Sequence, residues 1–145
     1  PSAGTPMDPA KDGCGLIWYS PLVPMKPEAV MRYVEMVRAV CLQYRMEPLI
    51  TLTSLSDRCF DSTVPLLFDR AKPAEVERAN ECYLELLEAG LKQGFIPYRL
   101  SVRHMDMLES HGGIPNCLQD IKRALDPGNI LAPGRYVTID GSPVG

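Results

Sequence analysis

Two stretches of this chain, each opened by a proline, carry a helical repeat of apolar residues, and short β-type runs stand before, between and after them. From Pro27, the residues Val30, Tyr33, Val34, Val37, Val40, Cys41 and Tyr44 recur at steps of three and four, which puts them on one face of a helix. Proline suits the first helical position because the N–H it lacks would have no intrahelical partner. From Pro73, the residues Val76, Ala79, Tyr83, Leu86 and Leu87 form a second stripe, with Glu75, Glu77, Arg78, Glu81, Glu85 and Glu88 turned away and Gly94 as a natural stop.

The flanking runs read as strands. Leu16-Ile17-Trp18-Tyr19, between Gly15 and Ser20-Pro21, suits a strand buried on both faces. Leu49–Leu55 and then about Thr63–Phe68 are rich in β-branched or apolar residues and predict two more. Phe95–Leu100 is apolar but interrupted by Pro97, which predicts an edge strand or an extended loop. The order β-α-β-β-α-β predicts an α+β fold over residues 14–100, a ferredoxin-like split β-α-β sheet with two covering helices. Residues 1–13, with three prolines and two glycines, read as a linker or loop. Residues 101–145 read as a C-terminal helical tail: a short helix near His104–Glu109, a break at Gly112-Gly113 and a helix from about Pro115 to Leu125. The tail is too apolar for a disordered terminus and is expected to pack on something.

The 145 residues, 46% of them hydrophobic, suffice for a core. A formal charge of −3 gives no basic field, so nucleic acid is not an expected partner, and no apolar run approaches the roughly 18 residues of a membrane span. The first residues have neither the basic nor the apolar part of a signal peptide, and the chain begins without Met, so we expect a part of a longer protein, its compartment unknown. The five cysteines never form C-x-x-C and suggest neither a zinc site nor a disulfide framework, and most of them read as buried thiols.

Among candidate chemistry, Tyr98-Arg99 stands out. A phenol hydroxyl beside a guanidinium can direct several hydrogen bonds at one anionic oxygen, although such a dipeptide also occurs as a packing feature. His104 and His111, with Asp106 and Glu109 between them, lack a second ligand motif, so no metal is expected. Nothing places a cysteine beside a cation or an oriented histidine. Asp12-Gly13-Cys14-Gly15 precedes a strand instead of a helix and reads as a tight turn, not a phosphate loop. Most methionines read as core filling.

The tail carries the most specific pattern, Asp126-Pro127 followed by Ile130-Leu131-Ala132-Pro133-Gly134-Arg135. With Trp18-Tyr19-Ser20-Pro21 and Tyr98-Arg99, it resembles the C-terminus of FAD-linked oxidases of the vanillyl-alcohol oxidase/p-cresol methylhydroxylase family, over nearly the whole chain. The resemblance implies the later portion of a substrate-binding cap plus a tail that returns to an upstream flavin domain. It further implies that Tyr98 and Arg99 bind a phenolate substrate and that Arg135 lies near the flavin or the substrate oxygen. Trp18 and Tyr19 would line the cavity. The position of the flavin-linking histidine falls on Leu16, and no tyrosine precedes Tyr19, so no covalent FAD link is visible in this chain. Implied partners are a phenolic small molecule, the N-terminal flavin domain, a c-type cytochrome subunit and further copies in a homo-oligomer, in the bacterial periplasm or cytoplasm. Two other readings stay open: a free-standing ferredoxin-like binding or dimerisation module, and a flavin oxidase acting on 2-hydroxy acids.

Overall fold

The computed structural model describes residues 6, 8–108 and 114–135. The chain divides into two units, up to Arg99 and from Leu100, which are taken separately.

In the first unit the strands are β1 (Cys14–Tyr19), β2 (Leu22–Pro24), β3 (Thr51–Ser54) and β4 (Cys59–Asp69), and the helices are α1 (Pro27–Gln43) and α2 (Pro73–Lys92). Both helices begin at their prolines. β4 is the spine of an antiparallel sheet. β1 and β2 run along one of its edges, with Leu16 opposite Leu67, Trp18 opposite Pro65 and Leu22 opposite Asp61, and β3 takes the other edge, with Thr53 opposite Asp61. β4 is longer than Thr63–Phe68, and β3 is shorter than Leu49–Leu55.

The sheet has one covered face. Ser62, Val64 and Leu66 of β4 and Tyr19 of β1 are buried beneath Tyr33, Val37 and Cys41 of α1 and Leu86 and Leu87 of α2. Strand alternation sends Leu16 and Trp18 the other way, where they are 43% and 53% exposed. The expectation that β1 is buried on both faces is therefore corrected. Four apolar residues in a row do not say how many layers lie above them, and here the helices cover one side.

Gly15 leaves room for the Phe68 ring, which a Cβ would meet. That packing accounts for the glycine in Asp12–Gly15, and Gly13 turns the chain into β1 at φ 69°. Both helices end in the same way. Gly94 takes the left-handed conformation at φ 82°, with the Phe95 N–H donating to the Gly90 carbonyl at 2.8 Å. Arg45 does so at φ 53°, with the Met46 N–H donating to the Cys41 carbonyl at 2.8 Å. Cys41 and Cys82 face each other across the helix pair. The interaction between the two thiols lowers the pKa of Cys41 and, with burial, raises that of Cys82.

After α2 the chain returns alongside Ser20–Leu22. The Leu22 N–H donates to the Ile96 carbonyl at 2.9 Å and the Tyr98 N–H to the Ser20 carbonyl at 3.2 Å, around an isolated antiparallel bridge between Pro21 and Pro97. Phe95–Arg99 thus takes the extended-loop alternative, joined by this one bridge, and Pro97 is tolerated there because its nitrogen faces away from Ser20 and Leu22.

In the second unit a 3-10 helix spans Val102–Leu108 and α3 spans Ile114–Leu125. Glu109–Gly113, including His111, lie outside the described residues. α3 ends in a compact turn built on Asp126, whose buried carboxylate accepts the Ile130 N–H at 2.9 Å, the Leu131 N–H at 2.8 Å and the Lys122 ammonium. Asn129, Ala132 and Gly134 all adopt positive φ in this turn. Leu118, Ile121 and Leu125 fall on one side of α3 and are exposed, as are Ile130 and Leu131.

Candidate active site

The open face of the sheet holds the candidate residues of the first unit. On it, Tyr98 stands beside Ser20, and Ser20 beside Thr63 by continuation of the register between Tyr19↔Val64 and Leu22↔Asp61. The next row towards β3's end of β4 reads Ile96, Leu22, Asp61, Thr53. In the other direction come Trp18 and Pro65, then Leu16 and Leu67. The result is an apolar wall with a phenol at one edge and a carboxylate in its middle.

Tyr98 is 45% exposed, and the guanidinium carbon of Arg99 lies 5.6 Å from the centre of its ring. Strand alternation alone would separate neighbouring side chains. The extended loop instead lets Arg99 fold back over the Tyr98 ring, in a cation–π arrangement.

Trp18 belongs to this wall, but Tyr19 does not. It is 1% exposed on the covered face, and burial, then the nearby Tyr33 and Tyr83, push its hydroxyl far above the ordinary tyrosine range. Its Oη is shielded without a hydrogen-bond partner and points at Gly90, where a Cβ would meet it. Trp18 and Tyr19 therefore cannot line one cavity together, because adjacent strand residues face opposite sides. Arg135 is exposed at the end of the Asp126 turn in the second unit, its N–H donating to the Ala132 carbonyl at 3.2 Å. His104 sits in the 3-10 helix with its Nδ1 2.7 Å from the Ser101 hydroxyl. Among the described residues no group of three or more His, Cys, Asp or Glu side chains could hold a metal.

Asp61 was not singled out from the sequence. Its Oδ1 is shielded and has no hydrogen-bond partner. The available signal was its position in β4, out of phase with the inward Ser62, Val64 and Leu66. Grooves of about 450 Å³ beside Tyr44 and Arg78, and about 490 Å³ beside Met31 and Phe60, include neither Tyr98 nor Arg99. The wall is exposed at Leu16, Trp18, Leu67, Ile96 and Tyr98 and buried at Ser20. For a flavin it offers an apolar aromatic surface with a nearby cation. Among the described residues, the Asp12–Gly15 turn is no cradle for the phosphates, since it leads into a strand and its Gly15 is taken up by Phe68.

No protein-family model matches the chain. It is 39% identical over 133 residues to a 1'-carboxy-chondrochloren decarboxylase of Chondromyces crocatus, covering 89% of this chain and 24% of that protein. It is 32% identical over 127 residues to the 4-cresol dehydrogenase [hydroxylating] flavoprotein subunit of Pseudomonas putida, covering 86% of this chain and 24% of that protein. Its fold matches a crystal structure of p-cresol methylhydroxylase with substrate bound at a TM-score of 0.78 and 30% identity, over 89% of this chain and 25% of that one. The chain spans about a quarter of the length of the relatives it matches. On these matches, which take in most of this chain, the chain belongs to the p-cresol methylhydroxylase (4-cresol dehydrogenase) flavoprotein family.

Proposed function

We propose that this chain forms part of the substrate site of an FAD-dependent oxidoreductase that oxidises 4-alkylphenols. In this reading residues 14–100 are the ferredoxin-like part of a substrate cap. Supporting it is the neighbour order across the sheet, with the Phe95–Arg99 loop beside β1 and β2, then β4, then β3. Residues 101–145 are a tail that packs on the flavin domain. Supporting that is the row of exposed apolar side chains, Leu118, Ile121, Leu125, Ile130 and Leu131, beside a turn ordered by Asp126.

The observation that carries the proposal is the packing of Arg99 over Tyr98 at the edge of an apolar wall. The Tyr98 hydroxyl and the Arg99 guanidinium both donate to the phenol oxygen and favour its anion, because a fixed donor and a cation act strongly where water is excluded. The phenolate oxygen pushes electron density through the ring to the para carbon, so that hydride can leave the benzylic position and a quinone methide remains. FAD, when bound, supplies the hydride acceptor. Trp18 and the aliphatic side chains around it hold the ring flat and dry. Arg135 adds a cation that favours the anionic reduced cofactor. The electrons pass on to a c-type cytochrome subunit or to oxygen; the relative named as a flavoprotein subunit supports a partner subunit.

The test uses the full-length, flavin-loaded protein mixed with 4-cresol. Tyr98→Phe and Arg99→Ala should each slow flavin reduction by an amount equivalent to about 2.7–4 kcal/mol, the usual effect of deleting one such donor. Unchanged reduction in both variants would remove the phenolate role. The 39% identity to a protein named as a decarboxylase favours a second reading, in which a side-chain carboxylate leaves as CO2 after hydride removal and an alkene forms. Product analysis with 4-alkylphenols with and without a side-chain carboxylate separates the two.

A further inference from the structure

We infer that Arg45 and Arg78 together take up an acidic side chain, an aspartate or glutamate carried by the part of the parent protein that lies outside this chain. The inference uses the family membership and the length of the relatives, not the phenol-oxidising reading.

The two arginines come from separate elements and meet at one place. Arg45 follows Tyr44, the cap of α1, and Arg78 sits in the second turn of α2. Both line a recess of about 160 Å³ with Glu47, Leu49, Pro65 and Leu67, and both line the groove of about 450 Å³ beside Tyr44. The recess lies at a margin of the sheet. β3 pairs with β4 only from Thr51 opposite Thr63 to Ser54 opposite Phe60, so Pro65 and Leu67 lie past its end.

Two observations mark this place for an anion. The Nε of Arg78 is shielded from solvent and has no hydrogen-bond partner, and it is the only Lys or Arg nitrogen in that state among the described residues. A charged donor that has given up water without gaining an acceptor is costly, so its acceptor is expected to come from elsewhere. Arg45 adopts the left-handed conformation at φ 53°, which helix ends usually give to glycine or asparagine. A long cationic side chain at such a backbone position points to a use for that side chain.

The charges decide where the anion goes. In the groove the two guanidinium groups are matched by Glu77 and Glu81, whereas in the recess they face Glu47 alone, which leaves one positive charge over. Among the described residues neither arginine forms an ion pair with any of these glutamates. One further carboxylate would balance the recess, and the planar guanidinium fork fits a carboxylate with two parallel hydrogen bonds.

Size decides what carries that carboxylate. The recess is well under the roughly 300–1,000 Å³ of small-molecule sites, and it suits a single side chain. The curated relatives are about four times as long as the stretch they share with this chain, 24% of each being covered, so most of the parent polypeptide is available to supply it.

The test uses the full-length, flavin-loaded protein. Arg78→Lys and Arg45→Lys each replace a guanidinium with an amine, and a carbodiimide joins an amine to a touching carboxylate without adding atoms. Peptide mapping against the wild type should show a new cross-link from position 78 or 45 to an aspartate or glutamate outside these 145 residues. Arg78→Glu should lower the melting temperature of the flavin-loaded protein, and changing the cross-linked acid to lysine in the same protein should restore at least half of that fall. New cross-links only to Glu47, Glu77 or Glu81, or no new cross-link in either variant, would overturn the inference. Inorganic phosphate probes for a dissolved anion. If it raises the melting temperature of the wild type but not of R78E, and suppresses the cross-link, the recess holds a free anion and the inference also falls. No step needs turnover, so the phenol-oxidising reading stands or falls separately.

Discussion

The hydroxyls of Tyr33 on α1 and Ser62 on β4 lie 2.6 Å apart in the interior, with neither residue exposed. The Tyr33 ring also meets Phe95 edge-on, with centroids 5.2 Å apart, so one residue ties helix, sheet and the loop before Tyr98. Tyr33→Phe should destabilise the protein by about 1–3 kcal/mol, because the Ser62 hydroxyl is left shielded and unpaired. Tyr33→Phe combined with Ser62→Ala should recover part of that loss. Denaturant unfolding of the two single variants and the double variant gives the coupling directly.

The buried, unpartnered Oη of Tyr19 and the missing side chain of Gly90 predict a second cycle. Gly90→Ala should destabilise by about 1–3 kcal/mol through overpacking against that oxygen. Tyr19→Phe should be neutral or stabilising alone, and it should rescue most of the Gly90→Ala defect. Thermal melts of the four proteins check this, and additive effects would contradict the contact.

Opposite facing of neighbours on β1 gives a third expectation. Tyr19→Ala should cost about 3–5 kcal/mol, as for other large buried rings. Trp18→Ala, on the open face, should change stability by about 1 kcal/mol or less. Equal losses at the two positions in urea titrations would contradict the one-sided cover of the sheet.

Acid should act on the tail through Asp126. Lys122, then the Ile130 N–H, draw its carboxyl down from the ordinary 3.8 to about 2, with the Leu131 N–H adding to them. A depressed folded value means that the contribution to stability is present above the unfolded pKa and is lost as pH falls from about 3.8 through about 2. The amide resonances of Ile130 and Leu131 should therefore titrate with a midpoint near 2. In Asp126→Asn the two amides should lose most of their protection from exchange. A midpoint at the ordinary aspartate value would show that the turn is not organised by this side chain.

Local patterns made the two helices legible, because Pro27 and Pro73 open them and the three-and-four spacing marks their inner faces. The spacing overlooked Cys82, which is buried because it meets Cys41 on a helix far away in sequence. It was least informative at Leu16–Tyr19, where the number of covering layers depends on where α1 and α2 pack and not on the strand itself. Tyr98-Arg99 was visible as a dipeptide with useful chemistry. Their stacking depends on a break in strand geometry at Pro97, which alternation rules do not anticipate. Asp61 stayed hidden for a different reason. A lone aspartate in a strand reads as a solvated side chain, and the sequence does not show that one of its oxygens is shielded without a hydrogen-bond partner.

Pro97 also bears on how the molecule avoids its own kind. The backbone groups of Ile96 and Tyr98 turn inward to Leu22 and Ser20, so the outward-facing amide of this edge is that of Pro97, which has no hydrogen to donate. An apolar segment at a sheet margin would otherwise be a template on which a stray strand could add and fibrils could nucleate. Replacing Pro97 with a residue that carries an N–H would reopen the margin. One ring at this position therefore closes this margin of the sheet to the addition of a further strand.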